Sequence, residues 1–427
     1  MNLIPVFIVF VLFFLGVPVA FAMIIASFIY FIFMCDGVGP LTMVSSLLSQ
    51  SSSFTMMAVP FFIMAGSVMG YGGVSTTLMD FCDMLTGRMQ GGLGATNTLL
   101  STFMGGMSGS SVADAAFEAR MLCPEMEKRG FSKGYSSAIT AATSCITPII
   151  PPGIAMVIYA TSAGCSVGDM FLGGYIPGIM ICIMMLVLNH IISKKRGYKP
   201  TRDYKLTRKE VVDTTLRSLW ALLLPIFILL GLRTGVFTAT ECAAVIVVYS
   251  AIVGSVVYRR LKLKHWPKIV VETLHSTASV LFILSAASLF SRYMVWENIP
   301  QQVAAALTQV AKTPTVFVLI VLAIMFVMGM FLDTAAALVI LPPLLIPVAN
   351  SLGVSTVHLG IVMVLMDTLG GITPPFGVMM FAVMGITKVS MSDYFKEGWP
   401  LILGVLAVCV FVAVCPVEMV IVNALGG

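Results

Sequence analysis

The chain has 427 residues, 59% of them hydrophobic and only 10% charged, with a mean hydropathy of +1.02 and a formal net charge of +5. A composition this apolar excludes an ordinary soluble globular protein, and the bilayer rather than one aqueous core sets the element lengths. A β-barrel would need strands of ~10 residues with alternating polarity; the apolar run over residues 6–33 instead predicts helical spans and an all-α, multi-pass inner-membrane protein.

That first run follows no basic segment and is too long for a signal-peptide core, so it reads as a retained first helix. Residues 41–54 read as an interfacial helix or a short span, which leaves the side of the N-terminus open. An apolar helix around 56–69 leads into GGVSTTLMDFCDMLTG (72–87), amphipathic at helical spacing and suited to lie along the membrane surface. STFMGGMSGSSVADAAFEAR (101–120) is rich in Gly and Ser where a plain span would be apolar, and reads as a re-entrant hairpin. ITPIIPPG (146–153) then interrupts a span, and GDMF, ending at Phe171, opens a long apolar helix.

Fourteen of the 24 Lys and Arg lie in residues 194–217 and 259–268. This clustering places both loops in the cytoplasm and argues against nucleic acid as the partner of the positive charge. The apolar segments between them, 219–232 and 236–258, therefore go out and back as one hairpin. The order of parts then repeats. A helix around 279–294 precedes the amphipathic ENIPQQVAAALTQVAK (297–312), the hairpin MGMFLDTAAALVILPPLLIPVANS (328–351), the broken span GGITPPFG (370–377), and SDYF before a closing helix. The basic loops put corresponding ends of the two halves on opposite sides, so the repeats are inverted, with the segments 118–133 and 388–396 inside. The chain divides into an N-terminal scaffold helix and connector (1–53), repeat one (54–193), cytoplasmic loops with a scaffold helix pair (194–269) and repeat two (270–427).

Pro148, Pro151 and Pro152 in one half, and Pro374 and Pro375 in the other, remove backbone donors and free carbonyls one turn earlier. In hydrocarbon such a break survives only where protein, water or an ion satisfies the freed groups. The hydroxyls of Ser108, Ser110, Ser111, Thr147, Thr334 and Thr373 add neutral oxygens, a donor set that suits sodium better than zinc or copper. One Pro kink alone is usually a packing feature; a matched pair in inverted halves points to a transport site at the midplane. Asp114, Asp333 and Asp367 are intramembrane carboxylates and functional candidates, with helix capping the alternative for Asp333 and Asp367. Glu241 and Glu297 read as solvated at span ends. The nine Cys, without a CxxC pair, and the 31 Met read as packing residues, and the four His show no ligand spacing. Nothing in the pattern suggests an enzyme.

Together GGMSGSSVADAAF, ITPIIPPG, FLDTAAALVILPPLLIPV and GGITPPFGVMMF resemble the large membrane subunit of the tripartite ATP-independent periplasmic (TRAP) transporters, over essentially the whole chain. The resemblance implies an ion-transporter superfamily fold, with a scaffold and a transport domain that moves as an elevator. It implies Na+ coupling, a separate small four-helix membrane subunit and a periplasmic substrate-binding protein. Carried onto this chain, it places sodium at Ser108, Ser110, Ser111, Thr147 and Pro148, and at Gly329, Asp333, Thr334, Gly370, Thr373 and Pro374. The solute would lie against Ser108, Ser110, Pro152, Thr334 and Thr373. Members move C4-dicarboxylates, sialic acid and other organic acids, and the sequence does not choose among them. The nearest rival is a stand-alone sodium/dicarboxylate carrier of the same superfamily.

Overall fold

Inside lipid each backbone polar group must find its partner within the chain, which leaves helices and short, enclosed breaks as the permitted elements. The computed structural model describes residues 2–35, 40–49, 54–106, 108–234 and 236–425; among these every regular element is a helix. Among the described residues six helices are long and apolar enough to cross a membrane, or eight spans if each of two bent pairs counts as one.

The expected single first helix is two, α1 (Ile4–Phe14) and α2 (Val19–Phe33), packed on each other. Gly16 between them takes φ +85°, open to glycine at little cost, and Pro18 offers no donor to carry the first helix onward. α3 (Pro40–Ser49) follows; residues 50–53 lie outside the described ones, so the reading of 41–54 falls partly outside as well. α4 (Ala58–Gly72) and the amphipathic α5 (Val74–Thr86) meet at 70°, turning at Gly73 with φ +81°.

Hairpin one is α6 (Gly92–Gly105) and α7 (Ser111–Met121), followed by the short α8 (Cys123–Lys128). Glu118, the first residue of the segment read as cytoplasmic, is fully buried in this hairpin, where its carboxylate accepts the Ser101 hydroxyl at 2.8 Å. The first broken span is α9 (Lys133–Thr143) and α10 (Ile154–Ala163), closed by α11 (Val167–Arg196). Next come α12 (Arg208–Arg233) and α13 (Ala239–Ile252). α12 starts well inside the stretch expected to be loop, because Thr207 and Glu210 form a reciprocal capping box that nucleates it.

α14 (Trp266–Trp296) is longer than its apolar centre suggested and leads into the amphipathic α15 (Ile299–Val310). Glu297, expected to be solvated, accepts the Tyr30 hydroxyl at 2.6 Å and the Asn2 backbone N–H at 2.7 Å, which ties the N-terminus to repeat two. Glu241 is exposed, as expected, and caps α13. In hairpin two the descending arm is α16 (Pro314–Phe331), upstream of most of the segment read as the hairpin. Its return arm is α17 (Thr334–Ile340) and α18 (Pro342–Ser351), bent by 49° where Pro342 and Pro343 interrupt the helix. The second broken span is α19 (Thr356–Gly371) and α20 (Val378–Thr387), followed by α21 (Met391–Val414) and α22 (Met419–Leu425).

The inverted pairing is visible in what packs on what. α6 lies on α9 as α16 lies on α19, and α7 packs on α20 as α17 packs on α10. α19 is buried at every residue from Val357 to Gly371, the behaviour of a helix apolar on all faces and placed at the centre.

Candidate functional site

The two hairpin tips each meet a break. In hairpin one Ser110 caps α7, its Oγ accepting from the Ala113 N–H at 3.4 Å, and the Ser108 Oγ accepts the Ser110 N–H at 3.3 Å. Gly109 has φ +60°, and a Cβ there would lie 2.6 Å from the Pro152 carbonyl oxygen, so the tip rests on the ITPIIPPG break. One turn into α7, Asp114 is 1% exposed, with the hydroxyls of Ser108 and Thr147 against its carboxyl. Its Oδ2 has no hydrogen-bond partner among the described residues. Thr147 also donates to the Ser101 carbonyl at 3.4 Å, stitching the break to α6.

In hairpin two Asp333 is the N-cap of α17, its Oδ2 accepting the Ala335 N–H at 3.1 Å, so the capping alternative is realised here. Asp367 does not cap: it lies within α19, 2% exposed, beside the Thr334 hydroxyl, and its Oδ1 lacks a partner among the described residues. The backbones of α16 and α19 touch at this level. A Cβ on Gly370 would lie 2.6 Å from the Gly329 carbonyl carbon, and one on Gly329 would lie 2.5 Å from the Asp367 carbonyl oxygen. Thr373 spends its hydroxyl proton on the Leu369 carbonyl one turn back, at 2.7 Å. The Pro151-Pro152 and Pro374-Pro375 bonds are both cis.

The structure thus gathers Ser108, Ser110, Ser111, Thr147 and Pro148 with Asp114 at one junction, and Gly329, Asp333, Thr334 and Gly370 with Asp367 at the other. Pro152 meets the first tip through its carbonyl. Thr373 and Pro374 belong to the second break, with the Thr373 hydroxyl turned to its own helix. The same pair of groups recurs with places exchanged: carboxyl on the hairpin and hydroxyl on the break in repeat one, hydroxyl on the hairpin and carboxyl on the broken helix in repeat two. A buried carboxyl oxygen without a donor is costly, and an oxygen-only surrounding of hydroxyls, carbonyls and a carboxylate fits a hard cation.

Between the tips and the helices α4 and α14 lies a cavity of 540 Å³, lined by Ser108, Asp114, Thr334, Tyr71, Glu272 and Ser276 among others. Tyr71 donates to Glu272 at 2.7 Å and stacks on His265, so this end of the cavity adjoins the basic 259–268 loop. The wall from α14 was missed in the sequence. The signal present there was a set of polar residues, Glu272, Ser276 and Ser279, at helical spacing within an apolar span.

Two inverted repeats, each setting a broken helix against a re-entrant hairpin beside a cavity with a few polar groups on its wall, define a secondary transporter. The chain belongs to the family described as the tripartite ATP-independent periplasmic transporter, DctM component, whose profile matches residues 6–417. It is 32% identical to the sialic acid TRAP transporter large permease protein SiaM of Vibrio cholerae, over 95% of this chain and 94% of that one. It is 32% identical to the C4-dicarboxylate TRAP transporter large permease protein DctM of Pseudomonas aeruginosa, over 89% of each. Against the 2,3-diketo-L-gulonate TRAP transporter large permease protein YiaN of Escherichia coli the identity is 30%, over 93% and 94%. The crystal structure of the Alcanivorax borkumensis YdaH transporter superposes with a TM-score of 0.64 at 15% identity, covering 96% of this chain and 98% of that one, a likeness of fold alone. The chain is therefore an inner-membrane subunit of a TRAP transporter, and not an enzyme.

Proposed function

We propose that the chain carries out sodium-coupled uptake of a small organic acid, working with a separate small four-helix membrane subunit and a periplasmic substrate-binding protein. The observation that carries this reading is the pair of buried carboxyls, Asp114 and Asp367, each at a hairpin-break junction and each with an oxygen that finds no donor among the described residues. An unneutralised carboxylate at this depth is expensive, and sodium at both junctions removes the charge that would repel an anion from the cavity. The acid then meets the Ser110-capped N-terminus of α7 and the hydroxyls of Ser108 and Thr334. Relatives named for sialic acid, a C4-dicarboxylate and 2,3-diketo-L-gulonate support a small carboxylate as cargo. Alternating access follows if both hairpins and both broken helices move as one body against α1 and the α12–α13 pair.

The test is uptake of labelled succinate, N-acetylneuraminate and 2,3-diketogulonate into proteoliposomes holding the chain, its small subunit and the binding protein. Accumulation should require an inward sodium gradient and should vanish when potassium replaces sodium or when either partner is left out. Full-rate uptake in potassium would refute sodium coupling, and uptake by the chain alone would show a stand-alone carrier.

A further inference from the structure

α14 is an apolar span of 31 residues, yet one of its faces carries Glu272, His275, Ser276 and Ser279. His275 lies seven residues beyond Lys268, the last basic residue of the cytoplasmic loop, or ~10 Å along a helix rising 1.5 Å per residue, inside the stretch expected to cross a hydrocarbon core about 30 Å thick. An ionisable side chain at that depth is expensive unless it faces a cavity or a ligand. His275 is exposed and lines a second cavity, of 730 Å³, between α2, α14 and the tip of hairpin two. This cavity shares Ser276, Val280 and Asp333 with the first, so the two adjoin around that tip.

The charges in this divided space are one-sided. Its described lining holds the carboxyls of Asp114, Glu272 and Asp333 and no Lys or Arg, and His275 is its only side-chain nitrogen donor. The remaining side-chain donors are hydroxyls. We propose that His275 is the contact on α14 for the anionic group of the transported acid, holding it by an N–H donated across the gap opposite hairpin two. This rests on the reading of the chain as an organic-acid transporter. Because the residue stands on α14 and on neither a hairpin nor a broken helix, it acts on affinity for the acid and not on activation by sodium.

The experiment compares wild type, His275→Ala and His275→Gln in the complete three-component proteoliposome, using whichever of succinate, N-acetylneuraminate or 2,3-diketogulonate the wild type accumulates. The alanine variant should raise KM for the acid about tenfold, the effect of one lost hydrogen bond to a charged group. The glutamine variant, which keeps an N–H donor, should stay near wild type, and sodium half-activation should not move in either. Unchanged KM in both variants overturns the assignment while leaving the transport reading intact. So does a KM unchanged beside a shifted sodium half-activation. A wild type that accumulates none of the acids removes the transport reading, and this assignment with it.

Discussion

The two breaks share Ile-Thr-Pro, one Pro-Pro pair and a closing glycine, but they are housed differently. In repeat one every residue from Ser144 to Gly153 is buried; in repeat two Pro375 and Phe376 reach the surface, Phe376 being 58% exposed. The cause is the closing helix. α11 lays glycines on the first break, so that a Cβ on Gly174 would lie 2.1 Å from the Ile149 carbonyl oxygen and one on Gly178 would lie 2.3 Å from Ile150 Cδ1. α21 turns its glycines elsewhere, Gly398 toward Ala138 and Gly404 toward Leu188. The second break is flanked at the surface by the Phe331–Phe376 ring contact, 5.6 Å between centroids. Inverted repetition supplies two like backbones, and a third helix decides which one is locked.

The largest effect expected from this difference is on folding. Gly174→Ala pushes a methyl into a backbone carbonyl that cannot yield, whereas Gly404→Ala meets flexible side chains, the end of Leu188 at 2.4 Å and Met184 Cγ at 3.3 Å. Gly174→Ala should cost about 3 kcal/mol and Gly404→Ala about 1 kcal/mol or less, read as melting temperature in detergent. Equal melting of the two variants would break the comparison.

A smaller effect separates the two threonines. Thr147→Val removes one of the hydroxyls against the Asp114 carboxyl, and Thr373→Val removes one already turned to Leu369. Both should raise the sodium concentration for half-maximal uptake more than they weaken binding of the acid at saturating sodium. The Thr147 variant should move further, by roughly 1 to 3 kcal/mol in apparent sodium affinity. Wild-type half-activation in both would make these threonines structural and refute the assignment of both junctions to sodium.

The smallest effect concerns the two caps. Asp333→Ala should destabilise by about 1 kcal/mol and Ser110→Ala by less, its bond being the longer at 3.4 Å against 3.1 Å. Asp333→Asn keeps a good capping oxygen and should melt like wild type. If its sodium half-activation also stays put, the Asp333 carboxylate serves hairpin two as a cap alone, and the second junction relies on Asp367.

Much of this was legible in residue order because proline and glycine act on the backbone where they stand. Pro148 and Pro374 mark both breaks wherever the chain is folded, and the amphipathic spacing of 72–87 and 297–312 marks α5 and α15. The same local rule was available at Gly16 and Pro18 and went unread, because the apolar run continued through them. Asp114 and Asp367 were visible as intramembrane acids, but nothing nearby in sequence says that one meets Thr147 and the other Thr334. The partners of Glu118 and Glu297, Ser101 and Tyr30, were hidden for the same reason: they are set by helix packing.

By itself, then, the sequence determined that the chain lives in lipid, that its halves repeat in opposite sense, and where each half is broken. These follow from hydropathy, the placing of Lys and Arg, and donors that proline lacks. Only the tertiary structure decided which carboxyl faces which hydroxyl, which break is sealed by glycines of α11, and that α14 sets Glu272, His275 and Ser276 along cavities beside the hairpin tips. Those are choices of partner between helices remote in the chain, fixed by how closely backbones can approach, and no local periodicity encodes them.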